Sequence, residues 1–362
     1  MRQDAGYWVA WSKVTGVGAA RLKRLWEHFG DLEAAWRAPQ SVLARAGLDS
    51  RAAAAAVAER GALNPNAERE RLERANVELI TIDDASYPAL LRRGEGAPAC
   101  FYVRGTLLPE DEMAIAIVGS RAITSYGRQV TQQFTTDLAR QGLTIVSGLA
   151  RGIDAVAHRA ALDAGARTIA VLGCGVDVTY PPEHRSLAAD VAAHGALISE
   201  FPLGAKPDAP NFPMRNRVIA GLSLGTLVIE AGKSSGALIT ATCALEWNRE
   251  VFAVPGSIYA PRCEGTNRLI SKGEAKLVCA VGDILEELNL SLVPQQLAMD
   301  SLLAHDQTEA RLLDHLGQEP MHVDALTRLT ALPISVVTST LTMLELRGLV
   351  RQVSTMQFVR AR

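Results

Sequence analysis

The chain has 362 residues, 48% of them hydrophobic and 21% charged, with a formal net charge of −2. This balance excludes a disordered, collagen-like or disulfide-stapled chain, and the length predicts two or three domains of roughly 100–200 residues each. No run approaches the roughly 18 apolar residues of a membrane span.

Met1-Arg2-Gln3-Asp4 lacks the apolar segment of a secretory leader, so none is expected. Cys100, Cys174, Cys243, Cys263 and Cys279 are scattered, without a C-x-x-C pair. That pattern predicts a reducing, cytoplasmic setting and argues against structural zinc.

Residues 1–75 read as a helical domain: Trp8, Trp11, Leu22, Leu25, Trp26, Phe29, Leu32 and Trp36 recur at helical spacings. Within it, Val14-Thr15-Gly16-Val17-Gly18 has the form of a helix-hairpin-helix turn. Its glycines let a tight hairpin offer backbone N–H groups to a phosphate. The same pattern also fits a plain turn between two packed helices. Residues 76–112 read as a connector rich in acids.

Residues 113–290 alternate apolar runs with amphipathic helices. The runs are Ala114–Val118, Thr144–Ser147, Thr168–Leu172, Ala196–Ser199, Thr226–Glu230, Val251–Val254 and Leu277–Val281. Continuous Val/Ile/Leu runs between helices predict a Rossmann-like, doubly wound, mostly parallel α/β sheet covered on both faces. Residues 291–307, with Pro294-Gln295-Gln296, read as a linker. Residues 308–362 give three helical patterns, a stop at Gly348 and two apolar runs around a Ser-Thr turn, which predicts a winged helix. Its third helix offers Thr338, Ser339, Thr340 and Thr342 but few charges, so a partner-binding or structural role fits it as well as DNA reading.

In an open α/β sheet, ligands bind beyond the carboxyl ends of the strands. Those ends here carry Gly119-Ser120-Arg121, Ser147-Gly148-Leu149-Ala150-Arg151-Gly152, Gly173-Cys174-Gly175 and Gly232-Lys233-Ser234-Ser235-Gly236. Glycines permit close backbone approach, helix starts favour anions, and the cations add charge, so the rim is expected to bind phosphate. Leu227 stands where a phosphate-binding P-loop ending in Gly232-Lys233-Ser234 needs its first glycine. No G-x-G-x-x-G follows the first strand, which disfavours a dinucleotide, and no metal-ligand spacing is present. Lys206 lies in a Pro/Gly-rich loop, followed by Phe212, Arg215, Asn216 and Arg217. A basic groove with Phe201 and Phe212 as flat faces suits a single nucleic-acid strand, although loop packing also accounts for either ring.

Gly119-Ser120-Arg121, Ser147 to Asp154, Tyr180-Pro181, Ser199-Glu200-Phe201-Pro202, Phe212 to Arg217 and Glu230 to Gly236 together resemble the DprA (Smf) family of DNA-processing proteins of natural transformation. The close match spans residues 113–290. The end segments resemble the family's SAM-like and winged-helix domains. The resemblance implies a non-enzymatic, cytoplasmic DNA chaperone without a cofactor, active in competence and DNA recombination. Such a protein protects incoming single-stranded DNA, displaces single-strand-binding protein, loads RecA recombinase and forms homodimers. It places Arg121 and Lys206 in the family's basic pocket. The DNA-binding residues expected are Gly119, Ser120, Arg121, Ser147, Gly148, Arg151, Lys206, Phe212, Arg215, Asn216, Arg217, Lys233 and Ser234.

A competing reading takes Gly221 to Glu230 as the G-G-x-G-T-x-x-E motif of nucleoside-monophosphate phosphoribohydrolases, with Glu230 as a catalytic carboxylate. Ser223 replaces its second glycine. A third reading, a transcription factor acting through the winged helix, fits poorly with the near-neutral charge of residues 308–362.

Overall fold

The computed structural model describes residues 2–290, 308–309, 311–317, 320–346, 349–354 and 356–360. It divides into two compact units, Met1–Ile284 and Leu285–Arg362.

The first unit opens with six helices: α1 (Ala5–Lys13), α2 (Ala19–Phe29), α3 (Leu32–Arg37), α4 (Gln40–Arg45), α5 (Ser50–Glu59) and α6 (Pro65–Arg74). Their boundaries follow from local chemistry. Gly30, at φ +65°, ends α2. Asp31, Asp49 and Asn64 accept N–H groups at the starts of α3, α5 and α6. The tryptophans are core residues: Trp8 and Trp11 are buried, and Trp11 meets Trp36 edge-on at 5.1 Å.

The sheet follows. Its elements are β1 (Glu78–Thr81), α7 (Ala89–Arg92), β2 (Cys100–Gly105), β3 (Ala114–Val118), α8 (Ser125–Arg140), β4 (Thr144–Ser147), α9 (Ile153–Asp163), β5 (Thr168–Val171), α10 (Arg185–His194) and β6 (Ala196–Ser199). Then come α11 (Asn211–Gly221), β7 (Gly225–Val228), α12 (Ala237–Glu246), β8 (Glu250–Ala253), α13 (Glu264–Ser271), β9 (Lys276–Leu277) and α14 (Val281–Glu287). The strand order is β1-β2-β6-β5-β4-β3-β7-β8-β9. All pairs are parallel except β1–β2 and β2–β6. The chain winds outward from β3 through β4, β5 and β6, then returns to place β7 on the other side of β3. The topological switch point lies between β3 and β7.

The stretch 76–112, expected to be a connector, instead supplies β1 and β2, with Tyr102 opposite Ser199 and Val103 opposite Ile198. Cys100–Val103 is a buried run ending before Gly105. The antiparallel edge lacks the strand–helix alternation that marks the rest of the sheet. Successive residues of one strand serve opposite faces. Ala170 joins a core shared with α10 and the N-terminal helices, whereas Ile169 and Val171 pack with residues of α11 and α12.

In the second unit, residues 308–309 and 311–315 are helical, followed by helices Val323–Thr330 and Ile334–Leu346. Strands Met321–His322, Gln357–Arg360 and Val350–Ser354 form an antiparallel sheet in that order. Leu312, Val323, Leu326, Val337, Leu341, Leu344 and Phe358 form its core. This is a winged helix. The expected linker 291–307 and the stop at Gly348 lie outside the described residues. No helix among the described residues is long and apolar enough to cross a membrane.

One buried histidine ties α9 to the sheet. Thr168 donates its hydroxyl proton to the Ile145 carbonyl at 2.8 Å, so His158 Nδ1–H must donate to Thr168 Oγ1 at 2.7 Å. His158 is neutral, and its buried Nε2 has no partner among the described residues. Burial, helped by the nearby His184 and Arg215 charges, holds its pKa at about 3 against a usual 6.5. Between those values the unfolded chain binds the extra proton, so this stability is complete above the window and lost as pH falls through it. Thermal melts from pH 7 to pH 4 should show a falling Tm, with a shallower fall in His158→Gln. An equal slope in that variant would place the acid sensitivity elsewhere.

Candidate nucleic-acid interface

A cleft of about 840 Å³ opens at the carboxyl ends of β3 and β7, the switch point of the sheet. Its walls are the loop after β3, the first turns of α11 and α12, and the loops carrying Tyr180 and Arg262. Arg121, Arg215 and Arg262 line it against one acid, Asp154.

The loop after β3 is built to hold Arg121 outward. The Ser120 N–H donates to the Glu230 carbonyl at 2.8 Å. The Ser120 hydroxyl closes a turn on Ala122, accepting its N–H at 3.2 Å. A Cβ at Gly119 would lie 2.6 Å from Ile153, so the loop packs against α9 only with glycine there. The Arg121 guanidinium lies 5.8 Å from the Phe212 ring centroid, and the Phe212 and Tyr180 rings lie 5.5 Å apart. A cation and two aromatic rings thus form one row along the wall.

Arg215 forms the floor. It is 4% exposed, and Nη1 donates to the carbonyls of Gly148 (2.8 Å) and Val171. Its Nε has no partner among the described residues. Burial lowers its pKa to about 10, opposed by the Asp154 carboxylate, so it stays charged at neutral pH. The Asp154 carboxylate accepts the N–H groups of Gly148 (3.1 Å) and Ala150 (3.3 Å). A Cβ at Gly148 would fall 2.6 Å from the guanidinium.

The other expected residues separate into three groups. Asn216 and Ser234 line the cleft, with Asn216 Nδ2 donating to the Gly236 carbonyl at 3.2 Å. Lys206 and Lys233 are exposed on loops whose neighbours Pro207, Ala209, Gly232 and Ser234 line the cleft, and neither has an ion pair among the described residues. Ser147, Arg151 and Arg217 do not line it. Ser147 is buried and donates to the Ile117 carbonyl at 2.6 Å, a tie between β4 and β3. Arg151 is paired with Glu183 at 2.5 Å. Arg217 makes two 2.7 Å bonds to Glu200.

The helix starts also differ from expectation. The start of α8 is not free for a ligand. Glu230, 1% exposed, accepts the Thr124 N–H at 3.1 Å and the Thr124 hydroxyl, and Thr124 Oγ1 in turn caps the Gly127 N–H at 2.9 Å. Glu230 is therefore a buried support for Thr124, the N-cap of α8. In the Val14–Gly18 hairpin, two of the amides are engaged as well. Thr15 N–H donates to Glu59 at 2.9 Å, so a carboxylate sits where a phosphate was expected, and Val17 N–H donates to Val14. In the winged helix, the hydroxyls of Thr338, Ser339 and Thr342 bond back to carbonyls of their own helix.

Sequence reasoning missed Arg262 and Tyr180 as lining residues. Arg262 donates to the Ala122 carbonyl, bracing the loop that carries Arg121. Its signal was present: Pro255-Gly256 and Pro261-Arg262 follow the end of β8 just as the other glycine- and cation-bearing loops follow their strands.

Residues 78–289 match the family model of DNA recombination-mediator protein A, and residues 296–354 match the DprA winged helix domain. The Protein Smf of Synechocystis sp. is 36% identical over 99% of both chains. The X-ray structure of DprA from Streptococcus pneumoniae superposes with a TM-score of 0.70 at 33% identity, over 78% of this chain and 97% of that one. DNA processing protein A from Helicobacter pylori, solved to describe its single-stranded DNA binding mode, gives 0.53 at 27% identity, over 59% and 97%.

The Arg217–Glu200 pair provides a direct check on the geometry. Burial alone pushes the Glu200 carboxyl up, and Arg217 is its counter-charge. Both side chains are part-buried, 22% and 13% exposed, so removing one partner should cost less than the roughly 3–5 kcal/mol of a fully buried pair. Arg217→Ala should lower the melting temperature clearly while leaving nucleic-acid affinity per folded molecule unchanged. A binding loss at unchanged stability would return Arg217 to the interface.

Proposed function

The chain belongs to the DNA recombination-mediator protein A (DprA, Smf) family, and on that premise we propose that its cleft binds single-stranded DNA. The observation carrying this reading is the row of Arg121, Phe212 and Tyr180 above the buried Arg215. Unpaired bases expose both faces to rings, and stacking tolerates any sequence because every base has a π-face. Arg121 supplies a planar fork suited to a phosphate, which Lys cannot reproduce. Lys206 and Lys233 at the mouth add mobile point charges along the backbone. A duplex keeps its bases stacked inside and offers the rings nothing.

The wider role we propose is the one that the family resemblance implies. The protein protects incoming single strands in the cytoplasm, displaces single-strand-binding protein and loads RecA recombinase, as a homodimer and without catalysing a reaction. Residues 113–290 carry the strand and the dimer contact. The segments 1–75 and 308–362 serve other contacts, in keeping with the engaged Thr15 and Val17 amides and with a third helix, Ile334–Leu346, whose one charge is Glu345.

Fluorescence anisotropy with single- and double-stranded oligonucleotides across a salt series tests the reading. Single strands should bind more tightly, with affinity falling as salt rises. Arg121→Ala should weaken binding at least about tenfold, since a charged hydrogen bond contributes about 1.5–3 kcal/mol. Arg121→Lys should not restore it, and Lys206→Ala should weaken all sequences alike. An Arg121→Ala/Lys206→Ala double variant that binds like the native protein would overturn the assignment.

A further inference from the structure

The loop Pro255–Arg262, between β8 and α13, ends on Arg262 in the cleft wall and turns at Ile258 and Tyr259. These two side chains are 83% and 89% exposed, the most exposed large hydrophobic residues among those described. The loop that holds them in water is firmly tied. Gly256 exchanges two hydrogen bonds with the Asn267 side chain, at 3.1 and 3.0 Å. Tyr126 donates to the Pro255 carbonyl at 3.1 Å, Ala260 N–H donates to Ser257 at 3.0 Å, and Arg262 donates to the Ala122 carbonyl.

We propose that the Ile258–Tyr259 tip is a base-stacking platform for nucleotides of a single strand running out of the cleft, an inference that rests on the single-strand reading above. Tyr259 provides the ring and Ile258 an apolar flank. Residues 255–262 contain no acid, and Arg262 is their only charge, so the path from cleft to tip does not repel a phosphate backbone. A tied loop loses little freedom on binding. Size also discriminates between occupants. A stable protein interface needs about 800 Å² from each side, whereas one aromatic side chain offers about 150–250 Å². Two residues at a tip are too small for the first and match one or two bases.

The test measures affinity for a four-nucleotide and a twenty-nucleotide oligothymidylate, using the full chain, with melting curves to confirm folding. Tyr259→Ala should weaken the long strand about fivefold or more, the lower range for losing one base–aromatic stack, and leave the short one within about twofold. Tyr259→Phe should bind as the native protein does. If Tyr259→Ala binds both lengths normally while Arg121→Ala loses both, the platform is refuted and the cleft stands. If Arg121→Ala also binds both normally, the single-strand reading falls and the platform with it. A changed sedimentation mass in Tyr259→Ala at unchanged DNA affinity would make the tip a protein contact and overturn the proposal.

Discussion

The geometry of the cleft depends on one buried cation. Arg215 lies on α11 and reaches the carbonyls of Gly148, after β4, and Val171, at the end of β5. It thereby joins three separate segments at the edge where the sheet changes direction. Phe212 precedes it by three residues on the same helix, and residues at i and i+3 share a helix face. Fixing Arg215 in the floor therefore fixes the Phe212 ring in the wall, beneath Arg121. Gly148 is part of the same constraint, because any Cβ would displace the guanidinium. A buried guanidinium is costly unless it is paired and hydrogen-bonded. The Gly148 and Val171 carbonyls supply the hydrogen bonds, and the Asp154 carboxylate adds an opposite charge at longer range while accepting the loop amides.

The fold uses its own carboxylates where a phosphate-binding protein of another kind would leave room for ligand. Glu230 fills the positive end of α8, and Asp154 accepts the amides of the loop leading into α9. Recognition therefore rests on side chains, which differ in reach. Arg262 is braced on the Ala122 carbonyl, while Arg121, Lys206 and Lys233 are long and exposed. Under the proposed function, a wall of this kind suits a flexible polyanion and lacks the close cradle that a mononucleotide needs. Glu230, in a motif suggestive of a catalytic carboxylate, is buried and bonded to Thr124.

Much of this was legible in the sequence, because short apolar runs alternating with amphipathic helices admit few arrangements. The runs at Ala114–Val118, Thr144–Ser147 and Ala196–Ser199 coincide with strands, and the motif residues mark the carboxyl edge where the cleft opens. What was not legible depends on partners distant in sequence. Arg217 and Arg151 look like free cations until Glu200 and Glu183 are brought to them. Ser147 looks like a rim hydroxyl, but the last residue of a central strand is still inside the sheet. β1 and β2 were hidden because an antiparallel edge has no crossover helix to announce it. Arg262 was overlooked because its loop leaves a later strand and approaches the cleft only through the return of the chain to β7 and β8.

The most direct test of the central claim is photochemical cross-linking of a 5-iododeoxyuridine-substituted single strand to the native protein, with the adducts mapped by mass spectrometry. Adducts are expected on the peptides containing Tyr180 and Phe212, which line the cleft, and should be lost in Arg215→Ala protein that is still folded. Adducts confined to residues 14–30 or 308–362 would contradict it and move the strand to one of the end domains.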